Sequence, residues 1–347
     1  MRWENLAAPP VEGDPERAAP ATPPLPLALP DAVVRTFDTP EFAGMTFYEV
    51  RAKSILNRVP GQSRVPFEWT INPYRGCSHA CVYCFARNTH TYLDLDAGAD
   101  FDRRVIVKVN AGELVRRELA APRWRGAHVA MGTNVDCYQR AEGRYRLMPQ
   151  IIAALRDFAN PFSILTKGTL ILRDLPLLRQ AAEVTTVGVS FSVGFVDERL
   201  WRSVEPGTPH PRRRLDAVRA LTDAGFSVGV LMAPILPGLS DSDESIDATV
   251  SAIAAAGASS VTALPLHLRP GAREWYARWL AREHPHLVPT YRELYRAGAY
   301  APQAYQRELT ARVRISARRH GLHRGERGDN RSLPEPPPTT AEQLTLL

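Results

Sequence analysis

Cys77, Cys81 and Cys84 stand at C-x3-C-x2-C spacing in the stretch "GCSHACVYCF", three of the chain's four cysteines within eight positions. Thiolates are soft metal ligands, and this spacing puts three sulfurs on one short loop able to wrap a compact centre. A cuboidal iron-sulfur cluster ordinarily takes four protein thiolates. Three leave one iron open to a chelating substrate or cofactor, which suits chemistry better than passive electron transfer. Two plainer readings stay open: a zinc site completed by Cys137 or His79, and thiols that are merely buried.

The elements around this loop alternate. "FEWTINPY" and "RVIVKVN" read as extended, the second leading into a helix with Leu114 and Leu119. "AHVAMGT" is a short apolar run, and Pro149 is expected to open a helix on which Ile151, Ile152, Leu155 and Phe158 recur. "FSILTK", a helix from Leu172 to Ala182, and the strand "VTTVGVSFSV" follow. A helix from Pro211 closes at Gly225 before the apolar strand "FSVGVLMAPI". Asp241 with Glu244 is expected to box the next helix, and "VTALPL" comes after Gly257.

Such alternation predicts an α/β fold with a parallel sheet, open or closed into a full or partial barrel, and function at the carboxyl ends of the strands. Those ends gather the cysteine loop, Gly132 to Cys137, Lys167, Ser190 with Ser192, and Pro234 to Gly238 around one mouth. Lysine occurs only at Lys53, Lys108 and Lys167 in an arginine-rich chain. A lysine at a strand end in "LTKG" is therefore a candidate for holding a carboxylate rather than surface filling.

Composition bounds the class. The 347 residues are 44% hydrophobic, enough for a large core, and the formal charge of +6 selects no polyanionic partner by itself. No apolar run reaches the roughly 18 residues of a membrane helix, and no signal peptide is evident. A reducing, cytoplasmic location without membrane association is expected. Residues 1–42 and 325–347 are rich in Pro, Ala and Glu without period, and are expected to be disordered.

"NPYRGCSHACVYCF" resembles the signature of the radical S-adenosylmethionine (radical SAM) superfamily, in particular its DNA-repair-photolyase-like branch, which includes spore photoproduct lyase. "GTNVDCYQRAEGRYRL", "SILTKGTLILRDLPLL", "VSFSVGFVDERLWRSVEPGTPHPRRRLDAVRALTDAGF" and "APILPGLSDSDESI" resemble that branch in the same order, over approximately Phe47 to Leu268. The resemblance implies a partial (β/α)6 barrel over residues 43–268. It also implies a 4Fe-4S cluster on Cys77, Cys81 and Cys84, with S-adenosylmethionine chelating the fourth iron. Reductive cleavage of S-adenosylmethionine would then give a 5′-deoxyadenosyl radical that abstracts hydrogen from a substrate. A flavodoxin- or ferredoxin-like electron donor is implied as partner, and a monomer is expected.

Further roles follow from the same resemblance. Tyr83 stands where an aromatic side chain lies near the adenine. Gly132, Thr133 and Asn134 stand where a small segment meets the methionine amino group, and Ser190 stands near the ribose or carboxylate. Ser192 shares a strand face with Ser190. Cys137, Asp136 and Tyr138 are the candidates facing substrate; Cys137 is either a hydrogen donor or a packed thiol, and the other two either bind substrate or stabilise their loop. Two departures from spore photoproduct lyase count against its substrate: Cys137 follows Asp136 rather than preceding it, and Phe85 replaces a tyrosine.

Residues 269–324 interleave arginine with aromatics in "REWYARWLAREHPHLVPTYRELYRAGAY". They are read as helices covering the barrel's open side, with Trp275, Trp279, Leu287, Tyr291 and Leu294 inward. The competing reading is a nucleic-acid grip, which makes a nucleic acid the alternative substrate. A non-catalytic zinc or iron-sulfur protein is the alternative from another class.

Overall fold

The structure is a computed structural model that describes residue 29 and residues 31–60 and 65–322. Strands β1 (Val33–Arg35), β2 (Thr46–Val50), β3 (Leu56–Arg58), β4 (Trp69–Ile71) and β5 (Tyr74–Arg75) precede helix α1 (Ala99–Arg103), strand β6 (Arg104–Lys108) and helix α2 (Ala111–Leu119). Then come β7 (Val129–Met131), α3 (Ala141–Tyr145), α4 (Leu147–Asp157), β8 (Phe162–Thr166), α5 (Leu175–Val184) and β9 (Val187–Ser192). The chain continues through α6 (Glu198–Val204), α7 (Pro211–Asp223), β10 (Val228–Ile235), α8 (Asp243–Ala255) and β11 (Ser260–Pro265). Helices α9 (Ala272–Glu283), α10 (Val288–Leu294) and α11 (Gln303–Arg319) end it.

The main sheet runs β11-β10-β9-β8-β7-β4-β3. Its six strands from β4 to β11 pair parallel, and only β3 joins antiparallel. This is the partial (β/α)6 barrel that strand-helix alternation demands: parallel neighbours need crossovers, and amphipathic helices supply them. In α7 the buried residues Pro211, Arg214, Leu215, Val218 and Leu221 recur at helical spacing, so one face must pack on the sheet. A second sheet, β1-β2-β6-β5, flanks the barrel beside the cysteine loop.

Several local expectations need correcting. The N-terminal segment is ordered well before residue 42: Val34 pairs with Tyr48 across β1 and β2, and Phe37 packs on Phe47 with ring centroids 5.3 Å apart. Its proline-rich composition hides these apolar anchors. Residues 1–28 and 323–347, also expected to lack structure or to end the helical cover, lie outside the described residues. Helix α4 starts at Leu147 rather than Pro149, after Arg146 turns left-handed at φ 50°. The box at Asp241 is absent, because Ser242 caps α8 by accepting from Ser245 N. Asp241 is taken instead by Gly238 N and by the hydroxyl of Tyr305 on α11.

Candidate active site

The cysteine loop follows β5 at the carboxyl end of the barrel and is braced from four sides. Cys77 N donates to Phe101 O at 2.9 Å, and Ser78 N donates to Gln139 Oε1, whose Nε2 returns to Gly76 O. Val82 N donates to Val204 O, and Gly207 N to His79 O, so the end of α6 and the turn after it grip the loop. Arg87, fully buried, donates to Cys81 O at 3.0 Å, pairs with Asp102 and stacks under Trp275 of α9 at 4.8 Å. The protein's own contacts thus set the shape of the loop, and the C-terminal helices share in holding it. Tyr276, Trp279, Leu280 and Tyr291 pack into one apolar cluster with Cys81, Val82 and Tyr83.

None of the cysteines is in a disulfide. Burial pushes the Cys81 thiol up to about 12, and it raises Cys77 and Cys84 as well. Buried thiols of this kind become ligands when a metal compensates their charge directly. Among the described residues no three His, Cys, Asp or Glu side chains converge as one ion would require.

His79 is committed elsewhere: its Nδ1 lies 3.4 Å from Asp136 Oδ2. Asp136 also accepts from Thr166 Oγ1 at 2.6 Å, Lys167 N at 2.7 Å and Tyr138 N at 2.9 Å. Burial opposes its charge, but these partners, led by His79, hold its carboxyl at about 2. Asp136 thus ties the ends of β7 and β8 to the cysteine loop. Tyr138 turns its ring into the core and donates to Asp174 Oδ2 at 3.0 Å. Cys137 is fully buried in the main core that also contains Cys77. Gly132 (φ 75°) is required by backbone crowding, since a Cβ there would sit 1.8 Å from Leu165 O; Thr133 and Asn134 beside it are half-buried.

Lys167, at the end of β8, meets Ser192 of β9 and Tyr83 of the cysteine loop. Lys167 Nζ donates to Ser192 Oγ at 2.8 Å and lies 5.7 Å from the Tyr83 ring centre. Ser192 Oγ donates in turn to Ala233 O. Ser190, two residues earlier on the same face of β9, has a buried Oγ with no partner. Behind them stand two residues that sequence reasoning passed over. Glu205 and Arg214, each about 1% exposed, form an ion pair, and Glu205 also accepts from the Tyr83 hydroxyl. The signal for Arg214 was its place in the apolar stripe of α7, with Arg212 and Arg213 both exposed. A groove of about 760 Å³ opens beside the loop, lined by Thr39, His79, Tyr138, Arg140, Arg144 and Thr169 among others. Phe85 lies at the mouth between His267, 5.5 Å away, and Arg269, 5.3 Å away. No described helix is long and apolar enough to cross a membrane.

Comparison with known proteins agrees with this geometry. The radical SAM superfamily model matches residues 71–249. Uncharacterized proteins of Mycobacterium bovis and Mycobacterium tuberculosis are each 52% identical over 309 residues, 89% of both chains. One of Methanocaldococcus jannaschii is 27% identical over 195 residues, covering 56% of this chain and 69% of its own. Among solved structures, spore photoproduct lyase complexed with dinucleoside spore photoproduct superposes with a TM-score of 0.58 at 17% identity, over 79% of each chain. A mutant of that lyase with bound AdoMet and the same dinucleoside gives 0.57 at 18% identity, over 79% of this chain and 78% of the other. The match, which takes in the three-cysteine loop near its start and runs into α8, makes this chain a member of the radical SAM superfamily and an enzyme of that class.

Proposed function

We propose that Cys77, Cys81 and Cys84 hold a 4Fe-4S cluster and that the adjoining strand ends bind S-adenosylmethionine. The observation that carries this reading is the pairing of a pre-braced three-thiol loop with a lysine whose ammonium is not spent on any described carboxylate. When bound, the reduced cluster and S-adenosylmethionine together supply a 5′-deoxyadenosyl radical that removes hydrogen from a substrate.

The protein's share is orientation and exclusion. Lys167 offers a charged donor to the methionine carboxylate, and the orphaned Ser190 hydroxyl offers a donor or acceptor to the same ligand. Tyr83, its ring 5.7 Å from the Lys167 ammonium, would flank the same ligand. Gly132 lets β7 turn against β8, bringing Thr133 and Asn134 to the methionine amino group. Asp136 acts through His79 and Lys167 N as a positioning residue. Tyr138 stabilises its own loop, and Cys137 is a packed thiol rather than a hydrogen donor. Helices α9 to α11 close the barrel's open side and keep water from the cluster loop.

Anaerobic reconstitution tests this reading. Dithionite should drive release of methionine and 5′-deoxyadenosine, whereas stoichiometric zinc with no cleavage would end it. A nucleic-acid substrate is the second reading, supported by half-exposed Tyr300 stacked on His267 at 5.6 Å beside Arg269. Binding of single-stranded DNA or RNA that weakens steeply with salt would support it.

A further inference from the structure

Five side chains form a closed circuit at the barrel mouth. Lys167 Nζ donates to Ser192 Oγ at 2.8 Å, Arg214 Nη1 donates to Ser192 O at 3.1 Å, Arg214 Nη2 pairs with Glu205, and Glu205 accepts from Tyr83, whose ring faces Lys167. The circuit joins the cysteine loop, the ends of β8 and β9, the turn after α6, and α7. It contains two cations and one carboxylate. Both members of the Glu205–Arg214 pair are about 1% exposed, so neither charge can be relieved by water.

Charge arithmetic decides which cation stays available. Burial would raise the pKa of Glu205, and Arg214 first, then Lys167, bring it below its ordinary value. Arg214 holds Glu205 directly and is anchored besides by Pro209 O and Thr208 Oγ1. The lysine is left with a hydroxyl and a ring, both uncharged.

We propose that Glu205 and Arg214 are a positioning pair in which Arg214 sequesters the Glu205 carboxylate, so that Lys167 keeps an unshared ammonium for the carboxylate of S-adenosylmethionine. This rests on the functional reading above. Glu205 meanwhile orients Tyr83 on the cysteine loop. Without Arg214 the stranded carboxylate would draw Lys167 to itself and the ligand would lose its cation.

Equilibrium binding of S-adenosylmethionine to the reconstituted holoenzyme tests this, with iron content and thermal midpoint recorded for each variant. Arg214→Met should weaken binding by about 10- to 100-fold, the span of one charge-assisted hydrogen bond. Adding Glu205→Gln removes the competing charge and should restore binding to within about threefold of wild type. Decarboxylated S-adenosylmethionine, which has no carboxylate to hold, should bind all variants alike. A purely structural pair would give a double variant no better than Arg214→Met, and that result, or wild-type binding by Arg214→Met, would overturn the proposal. If Arg214→Met loses its iron or its fold, Glu205→Gln decides: binding as tight as wild type supports the sequestering role, and more than about threefold weaker binding refutes it. Wild-type protein that takes up iron yet binds no S-adenosylmethionine would instead defeat the functional reading.

Discussion

Gly207→Ala should loosen the cysteine loop without touching a thiol. A Cβ at residue 207 would lie 2.0 Å from Ser78 O and 2.9 Å from both the carbonyl carbon and oxygen of His79. Comfortable carbon-to-oxygen contacts begin near 3.3 Å, so the two segments must part by roughly 1.3 Å. Overpacking of this kind costs about 1–3 kcal/mol, and loss of the Gly207 N to His79 O hydrogen bond adds about 1 kcal/mol. For a chain of this size the thermal midpoint should fall by about 1–2 °C for each kcal/mol. The displaced atoms lie between Cys77 and Cys81, so reconstituted protein should also hold less iron. Gly143→Ala is the control, because its Cβ would meet only Leu170 Cδ1 at 3.7 Å within a helix. Differential scanning fluorimetry and iron analysis on both variants are sufficient. A Gly207→Ala protein with wild-type midpoint and iron content would refute the claim that the turn after α6 shapes the loop.

Other outcomes are expected from the same geometry. Cys81→Ala should lose most of its iron and all S-adenosylmethionine cleavage while its metal-free midpoint stays close to wild type; collapse of the fold would make the metal structural. Lys167→Met should weaken S-adenosylmethionine binding by about 10- to 100-fold at unchanged iron content, measured by equilibrium dialysis. His128 is half-buried, with its Nε2 enclosed and unpartnered, and burial lowers its folded-state value to about 4 from 6.5. Between those two values the unfolded chain binds the proton that the folded chain refuses, so this group costs stability as pH falls from 6.5 toward 4. His128→Phe should therefore lose less of its midpoint than wild type over that interval, in melts taken at stepped pH; equal losses would show that the histidine takes up its proton at the same pH in both states and refute the argument.

What sequence revealed and what it hid divide along physical lines. The six parallel strands were legible because each is a short apolar run between helices whose own faces repeat at 3.6 residues, as in α7 and α8. The cysteine loop was legible because its three cysteines are local, all within eight positions. Lys167 was legible through its rarity together with its place at a strand end. Glu205 and Arg214 were not, because their meaning lies in a contact with Tyr83, which is 122 residues from Glu205, and because one buried arginine is hard to notice among so many exposed ones. Gln139 and Arg87 were missed for the same reason: they brace Gly76, Ser78 and Cys81 through backbone groups, which leave no mark on residue type. The order at β1 was missed because Pro-rich composition outweighed Phe37 and Phe42, whose value appears only once Phe47 and Tyr145 are brought beside them.

The claim that three thiolates and an unshared lysine make a site for reductive S-adenosylmethionine cleavage is tested most directly by one anaerobic reaction. Protein reconstituted with iron and sulfide should hold about four irons per chain and, with dithionite, convert S-adenosylmethionine to methionine and 5′-deoxyadenosine. Protein that binds one zinc per chain in preference to iron, and leaves S-adenosylmethionine intact under the same conditions, would contradict it.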